Sequence, residues 1–421
     1  MPRYHIWTIG CQMNKADSEQ IAAYLERMGC TPSPRPDGAD VVLLNSCVVR
    51  QSAEDKVIHK LESLRSRAGD RVLALTGCMV DSDIDSLRER FPHVDLFFAP
   101  QDIRALSRFM EGRGLASVGV DPRSLTAKPA TSAFVNIIQG CDNFCSYCIV
   151  PYRRGRERSR PLDEVVGEVK GLAEHGTKEV ILLGQNVDSY GHDLDGDASL
   201  AGLLQQLNPV EGLERIRFLT SHPKDMSDEL IDAMVRLDRV CEHVSLPVQA
   251  GDDGILEAMG RGYTAGQYVG LVRRIRRGVP QVALSTDVIV GFPGESGEQF
   301  ERTYELLRES RFDTVHVACY SPRPGTIASR KLADDVPDAE KVRRRKAVEA
   351  LQEGIAAEIN GRLMGQRVGV LVEGRKKGKW WGRTRTDKLA FFEDRADRRG
   401  QLVDIEITHT GPWSLQGSLV I

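Results

Sequence analysis

Three cysteines stand close together in the middle of this 421-residue sequence. They are Cys141, Cys145 and Cys148 in the stretch GCDNFCSYC, which gives a C-x3-C-x2-C spacing. A structural zinc site takes four ligands, and no fourth Cys or His lies within about twenty residues. A 4Fe–4S cluster held by three thiolates instead keeps one iron open to an outside ligand. The triplet therefore favours a cluster that can chelate S-adenosylmethionine, with zinc or an incidental grouping as the alternative.

A second set of three cysteines is spread over the first part of the chain. Cys11 follows the apolar run IWTIG, Cys47 follows VVLLNS and Cys78 follows LALTG. Parallel α/β sheets bind their ligands at the carboxyl ends of the strands. One cysteine in such a position would be structural, but three in the same position predict a second three-thiolate site. The remaining cysteines are expected to be small buried hydrophobes, namely Cys30, Cys241 and Cys319.

Positive charge is concentrated in two stretches, although the net charge is −3. The first follows the triplet at once and contains Arg153, Arg154, Arg156, Arg158 and Arg160. The second, KKGKWWGRTR, contains Lys376, Lys379 and Arg383 around Trp380 and Trp381. We expect both stretches to contact RNA phosphates, and at least one of the two tryptophans to be core. The alternative is a solvated face, in which some arginines only pair with Glu157 or Asp163.

The elements that must position these residues fall into three segments. The first contains three apolar runs, YHIWTIG, DVVLLNS and RVLALTG, separated by helical periodicity, which predicts a parallel α/β domain. The middle segment contains six strand candidates alternating with helix patterns. These candidates are AFVNIIQ, EVILLGQ, RIRFLTS, EHVSLPV, VALSTDVIVG and DTVHVACY. Six such units predict a partial (β/α)6 barrel with its functional groups at the C-terminal mouth, and an open doubly wound sheet is the alternative.

The last segment changes to short strands separated by glycines and charged turns, such as QRVGVLVEG, KLAFFE and LVDIEITHT. This pattern predicts a small all-β unit, either a closed barrel or a sandwich. No apolar run reaches the roughly 18 residues that would cross a membrane, and the stretch MPRYHIWTIGCQMN has no export signal. The nine cysteines do not form a disulfide framework. We therefore expect a cytoplasmic protein.

The triplet, TIGCQMNKADSE and the turn YSPRPGT together resemble the radical S-adenosylmethionine methylthiotransferases over nearly the whole chain. The resemblance implies an α/β protein with three domains and a linker. Residues 1–112 would form the methylthiotransferase N-terminal domain with an auxiliary cluster, 113–132 a linker, 133–358 the radical core, and 359–421 a TRAM RNA-binding barrel. GCQMNKADSE and YSPRPGT are most similar to members that modify isopentenyladenosine in tRNA.

The resemblance also implies roles for particular residues. Cys141, Cys145 and Cys148 match the ligands of the radical cluster, and Cys11, Cys47 and Cys78 match those of the auxiliary cluster. Family motifs around S-adenosylmethionine match Gln185, Asn186, Gln249, Asp287 and Gly291. A polar residue that ends a barrel strand can instead cap the next helix. Ala250 and Asp252, where serines are common, and an extra arginine before Gly155 depart from the family pattern and weaken the choice among sister enzymes.

The implied activity is transfer of a methylthio group to carbon 2 of N6-isopentenyladenosine beside the anticodon. The implied cofactors are two 4Fe–4S clusters and S-adenosylmethionine. The implied partners are the tRNA anticodon stem-loop and an electron donor such as flavodoxin or ferredoxin, with the protein a monomer. One alternative is a sister enzyme acting on threonylcarbamoyladenosine in tRNA or on a ribosomal-protein aspartate. Another is an iron–sulfur RNA-binding protein without catalysis.

Overall fold

The computed structural model describes residues 1–48, 51–65, 71–80, 84–100, 102–115 and 130–420. The described chain forms two compact units. The first consists of the described part of residues 1–128 with Gln139–Asp142 and Cys148–Arg156, and the second contains the other described residues. Most of the predicted linker, residues 116–129, lies outside the described part of the chain.

The first unit is built on a parallel five-stranded sheet in the order β2-β1-β3-β4-β5. Both faces of the sheet are covered, since alternate residues of β3 enter different cores. Val42 and Leu44 belong to one cluster, and Val41 and Leu43 to the other. The predicted parallel α/β architecture is therefore confirmed. Its strands are β1 (Arg3–Thr8), β2 (Thr31–Pro32), β3 (Val41–Ser46), β4 (Val72–Gly77) and β5 (Leu96–Phe97), and its helices are α1 (Gln12–Arg27), α2 (Gln51–Arg65), α3 (Ile84–Arg90), α4 (Ile103–Gly112) and α5 (Val150–Arg154).

The second unit contains the six predicted strands in sequence order. Two parallel three-stranded sheets, β6-β9-β10 and β11-β12-β13, are joined by a parallel bridge between Ile216 and Val240. Among the described residues no pairing joins β6 to β13, so the barrel is partial. The strands, with two short flanking ones, are β6 (Ser132–Asn136), β7 (Ile138–Gln139), β8 (Arg158–Ser159), β9 (Glu179–Leu183), β10 (Arg215–Phe218), β11 (His243–Ser245), β12 (Ala283–Val290) and β13 (Thr314–Cys319).

Helices follow the barrel strands, and several begin where a hydroxyl side chain caps the first turn. Ser227 and Thr264 each accept a hydrogen bond from the backbone three residues later, which satisfies an otherwise unpaired N–H group. These helices are α6 (Leu162–Glu174), α7 (Leu200–Leu207), α8 (Asp228–Arg236), α9 (Asp253–Ala258), α10 (Ala265–Gly278), α11 (Gly297–Ser310), α12 (Ile327–Lys331) and α13 (Asp338–Gly361). No helix in the described ranges is long and apolar enough to span a bilayer.

The C-terminal strands form a closed five-stranded barrel in the order β14-β15-β16-β18-β17. This resolves the choice between a closed barrel and a sandwich. Trp380 is buried in the barrel core, as predicted for one of the two tryptophans, while Trp381 is half-buried. Gly382 permits close strand packing, because a Cβ there would lie 2.0 Å from the Leu371 carbonyl oxygen. The strands are β14 (Arg367–Lys376), β15 (Lys379–Thr384), β16 (Leu389–Phe392), β17 (Leu402–Thr410) and β18 (Leu415–Leu419).

Two buried arginines of β10 fasten the C-terminal barrel to the amino ends of the six strands. Arg215 donates hydrogen bonds to the carbonyl oxygens of Gly369 and Arg383, at 3.1 and 2.7 Å. Arg217 donates to the carbonyl oxygens of Thr384 and Arg385, and it also pairs with Glu179 at 3.1 Å. The small barrel therefore packs at the end of the six-stranded barrel that is opposite the carboxyl mouth.

We expect Arg217→Ala to destabilise the second unit by about 3–5 kcal/mol, because it leaves Glu179 buried without its partner. Urea unfolding followed by circular dichroism measures the loss as a lower midpoint. Arg308→Ala is the matched control, since the Arg308–Glu305 pair lies on the surface and contributes about 0.5 kcal/mol or less. Equal midpoints for the two variants would show that the Arg217 contacts do not fasten the barrel.

Candidate metal centres

The first cysteine set lies at the carboxyl edge of three adjacent strands. Cys11 follows β1 and begins α1, Cys47 follows β3, and Cys78 follows β4. These strands are neighbours in the sheet, so their ends open onto the same edge. Cys11 is exposed, whereas Cys47 and Cys78 are buried. The arrangement leaves one thiol accessible at the surface above two that are sheltered from water.

A buried network of amides connects the loops that carry these thiols. Asn14 donates to the Asn45 side-chain oxygen and to the Ser46 carbonyl oxygen, at 2.9 and 2.8 Å. Asn45 returns a hydrogen bond to the Asn14 carbonyl oxygen. The Asn14 amide oxygen also accepts from the Cys11 backbone at 3.4 Å, and the Cys78 backbone donates to Ser46 at 2.8 Å. Because these polar groups satisfy one another, the three loops have little freedom to move apart.

Two glycines make the close approach of these loops possible. Gly10 has a φ of +149° and Gly77 a φ of +93°, values that L side chains rarely adopt. A Cβ on Gly10 would lie 2.9 Å from the Cys47 Cβ, and one on Gly77 would lie 2.3 Å from the Ser46 carbonyl oxygen. Each predicted ligand loop therefore packs directly against its neighbour.

Arg154 lies against Cys78, which corrects its predicted role. Its Nε donates to the Cys78 Sγ at 3.1 Å, and its Nη2 pairs with Asp17 at 3.3 Å. Burial raises the pKa of the Cys78 thiol, and the Arg154 guanidinium opposes this rise. The Arg154 side chain is 9% exposed, so it is not on the surface for a phosphate, contrary to the prediction of an RNA contact.

The other arginines of this stretch are more accessible. Arg156 has a side chain that is 72% exposed and makes a two-point contact with Asp142, at 2.6 and 2.9 Å. Arg158 is exposed and Arg153 is half-buried. Arg160 pairs with Glu168, which agrees with the alternative that some of these arginines only form internal ion pairs.

The second cysteine set lies in the loop between β7 and α5. Cys145 is buried, while Cys141 and Cys148 are half-buried. Arg261 is itself 5% exposed, and its Nη1 donates to the Cys145 Sγ at 3.3 Å. The loop is anchored where α9 ends, since the Ser146 backbone donates to the Met259 carbonyl oxygen at 2.8 Å. Sequence reasoning missed Arg261, because it is 116 residues from Cys145 and belongs to no recognisable ligand spacing.

These cysteines suit an iron–sulfur cluster better than a single ion. No group of three or more His, Cys, Asp or Glu side chains in the described ranges converges closely enough for one metal ion. The thiolates of a cubane cluster bind different irons, and they must surround a volume rather than meet at a point. Each set also offers the donors that tune such clusters, in the Arg154 and Arg261 guanidinium groups against sulfur.

The five predicted cofactor residues follow or belong to strands of the partial barrel. Gln185 and Asn186 come just after β9, and Gly291 follows β12. Gln249 has a φ of +71°, and its backbone donates to the Asp287 carbonyl oxygen at 2.9 Å, so these two residues are neighbours. No described contact unites all five.

Gly291 has a packing role that the prediction did not include. Its φ is +70°, and a Cβ there would lie 2.3 Å from the Lys341 Cγ. Lys341 belongs to α13, is 3% exposed and pairs with Asp334. The glycine therefore admits the α13 lysine beside the end of β12, whatever contact it makes with a cofactor.

A polar group next to Asn186 was also missed. Asp188 accepts hydrogen bonds from the Ser221 hydroxyl and the His222 backbone, and burial raises its pKa to about 7. The pKa of His222 is lowered to about 2, chiefly by burial, so its imidazole is neutral. The His222 Nε2 and the Asn186 Oδ1 are buried without a hydrogen-bond partner among the described residues. A polar ligand would satisfy both atoms.

The predicted RNA residues of the C-terminal barrel do not lie together. Lys376 and Lys379 face each other across the hairpin between β14 and β15, where Lys377 and Gly378 have positive φ. Arg383 lies at the other end of β15 and pairs with Asp387 at 3.2 Å. The hairpin tip thus presents positive charge, whereas the Arg383 charge is partly neutralised.

We expect the stability contribution of Asp188 to be lost as the pH rises. Its pKa is higher in the folded protein than its usual value of about 4, so the folded state binds the proton more tightly. The contribution is full below about pH 4 and is lost by about pH 7. The difference in free energy of unfolding between the wild type and Asp188→Asn, measured by urea titration from about pH 4 to pH 8, should therefore fall and then level. A constant difference would contradict the raised pKa.

Known families match most of the chain. The Radical SAM superfamily matches residues 135–307, the Uncharacterized protein family UPF0004 matches residues 3–99, and the TRAM domain matches residues 361–420. Among solved structures, a radical S-adenosylmethionine methyltransferase from Kitasatospora setae aligns with a TM-score of 0.55 and 14% identity, over 90% of this chain and 77% of its own. The cobalamin-dependent radical enzyme OxsB aligns with a TM-score of 0.51 and 11% identity, over 83% of this chain, which spans 56% of OxsB. At these identities, the two structures support the fold alone.

Curated relatives are similar over their full length. A tRNA-2-methylthio-N(6)-dimethylallyladenosine synthase from Dehalococcoides mccartyi is 50% identical, over 100% of this chain and 99% of its own. The enzymes of that name from Roseiflexus and Chloroflexus aurantiacus are 48% and 46% identical, over 99% of this chain and 89% and 91% of their own. The chain therefore belongs to the family of the tRNA-2-methylthio-N(6)-dimethylallyladenosine synthases, which are radical S-adenosylmethionine enzymes.

Proposed function

We propose that this protein transfers a methylthio group to carbon 2 of N6-isopentenyladenosine beside the anticodon of tRNA. The observation that carries the proposal is the presence of two separate sets of three cysteines, one at a sheet edge and one in a barrel loop. Relatives that are 45–50% identical over nearly the whole chain bear the name of this activity. A non-catalytic RNA-binding protein would need neither set to keep an iron open.

The chemistry explains why no classical acid–base pair is needed. Carbon 2 of adenine carries a hydrogen that no side-chain base can remove at neutral pH, so the difficult step belongs to cofactors. When bound, two 4Fe–4S clusters and S-adenosylmethionine supply the electron, the hydrogen-abstracting radical, the sulfur and the methyl group. The chain itself must hold these groups, place the adenine and exclude water.

Particular residues are proposed for each task. Cys141, Cys145 and Cys148 would hold the radical cluster, and Cys11, Cys47 and Cys78 the auxiliary cluster. Gln185, Asn186, Gln249, Asp287 and Gly291 would contact S-adenosylmethionine. The unpartnered Asn186 Oδ1 and the neutral His222 imidazole support this assignment, because both can bond to the polar groups of an amino acid.

The domain assignment has the same standing. Residues 1–112 would carry the auxiliary cluster, 133–358 the radical chemistry and 359–421 the RNA grip, with 113–132 as linker. The exposed arginines Arg156 and Arg158, with Arg153, would contact tRNA phosphates, and Lys376 and Lys379 at the hairpin tip would add a second contact. The surroundings of Arg383 favour it less.

A one-electron donor such as flavodoxin or ferredoxin is required, because the chain contains no other source of the electron. A monomer suffices, since one chain supplies both cysteine sets. A reducing cytoplasm would keep the thiols available for iron. The sister activities on threonylcarbamoyladenosine or a ribosomal-protein aspartate are less favoured, given the names of the relatives.

Mass spectrometry of tRNA nucleosides after an anaerobic reaction tests this function. Protein with reconstituted clusters, S-adenosylmethionine and a reductant is mixed with tRNA that bears either isopentenyladenosine or threonylcarbamoyladenosine. We expect the methylthio product only from isopentenyladenosine. We expect Cys11→Ala to abolish it, whereas Cys30→Ala, which changes a buried cysteine outside both sets, should retain most of the activity.

Other outcomes separate the alternatives. If 5′-deoxyadenosine forms while both tRNAs stay unmodified, the radical chemistry stands and the substrate is wrong. If neither product forms in cluster-loaded protein, the enzyme assignment itself fails.

A further inference from the structure

We propose that Arg154 is a positioning residue for the auxiliary cluster, with its guanidinium donating to the sulfur of Cys78 and Asp17 holding that guanidinium in place. The inference rests on the proposed function, because it takes Cys78 to be a cluster ligand. It adds a residue from the stretch after the radical-cluster triplet to the surroundings of the other cluster. Sequence patterns gave no reason to separate Arg154 from its neighbouring arginines.

The geometry is that of a directed donor. The Nε–Sγ distance is 3.1 Å and the Nη2–Asp17 Oδ2 distance is 3.3 Å, so one planar group makes two contacts in different directions. Asp17 is 3% exposed and lies in α1, whose first turn begins at Cys11. Arg154 therefore connects the helix that follows one proposed ligand with the sulfur of another.

Burial makes the contact consequential. A guanidinium that is 9% exposed carries a full charge in a region with little water, where its interaction with sulfur is poorly screened. Hydrogen bonds and positive charge next to cluster sulfur favour the more negative, reduced state and so raise the reduction potential. Asp17 offsets part of the charge and fixes its direction, so the donor stays on sulfur.

The alternative for a buried arginine is a purely structural ion pair with Asp17. That pair alone would hold α1 and α5 together whether or not Cys78 binds a cluster. Such a role would affect folding and cluster assembly, but it would leave the potential of an assembled cluster unchanged. The reduction potential therefore separates the two roles.

The test uses full-length protein in which Cys141, Cys145 and Cys148 are all replaced by alanine, so that only the auxiliary cluster contributes. Its reduction is followed by electron paramagnetic resonance during a redox titration, with iron content measured on the same samples. We expect Arg154→Gln to move the midpoint to a more negative value and Arg154→Lys to move it less in the same direction. Arg88→Gln, which removes an exposed arginine of the same unit, is the matched control and should leave the midpoint unchanged.

The outcomes decide between the roles. An unchanged midpoint in the Arg154 variants that retain their iron would overturn the proposal. Loss of the auxiliary iron in both Arg154→Gln and Arg154→Lys would also overturn it, because a purely structural arginine predicts that result. If the parent protein with Arg154 intact binds no auxiliary iron, the proposed cluster site is what fails.

Discussion

Parallel strands end at one edge of a sheet, and this constraint determines where the proposed chemistry of this protein takes place. In the first unit it brings the loops after β1, β3 and β4 side by side, each with its cysteine. The hydrogen bonds of Asn14, Asn45 and Ser46 then hold these loops together. Without that buried network the thiols would still be neighbours in sequence pattern, but they would lack a fixed geometry.

The same constraint separates chemistry from attachment in the second unit. The predicted cofactor residues belong to the carboxyl ends of the strands, whereas Arg215 and Arg217 bind the C-terminal barrel at the amino ends. Each arginine donates to two backbone carbonyls, and Arg217 also pairs with Glu179. Replacing such buried charges by apolar groups can be neutral for stability, so their value here is a specific docking geometry. An RNA held by the small barrel would thus be held in a defined position relative to the six strands.

Much of this architecture could be predicted from the sequence. The three strands of the first unit, the six of the second and the closed C-terminal barrel follow from local periodicity, and both cysteine sets follow from their spacing or strand position. The contacts that give the sites their character could not be predicted, because they join residues far apart in the chain. Arg154 and Asp17 are 137 residues apart, and Arg261 and Cys145 are 116 apart. A run of arginines looks uniform in sequence, and only folding separates the buried Arg154 from the exposed Arg156.

Anomalous diffraction at the iron edge from crystals of the cluster-loaded protein is the most direct test of the claim that both cysteine sets hold clusters with an open iron. The account predicts two iron clusters, one bonded to Cys11, Cys47 and Cys78 and the other to Cys141, Cys145 and Cys148. Each should contain one iron without a protein ligand. Iron at only one set, or a fourth protein side chain closing either cluster, would contradict the account.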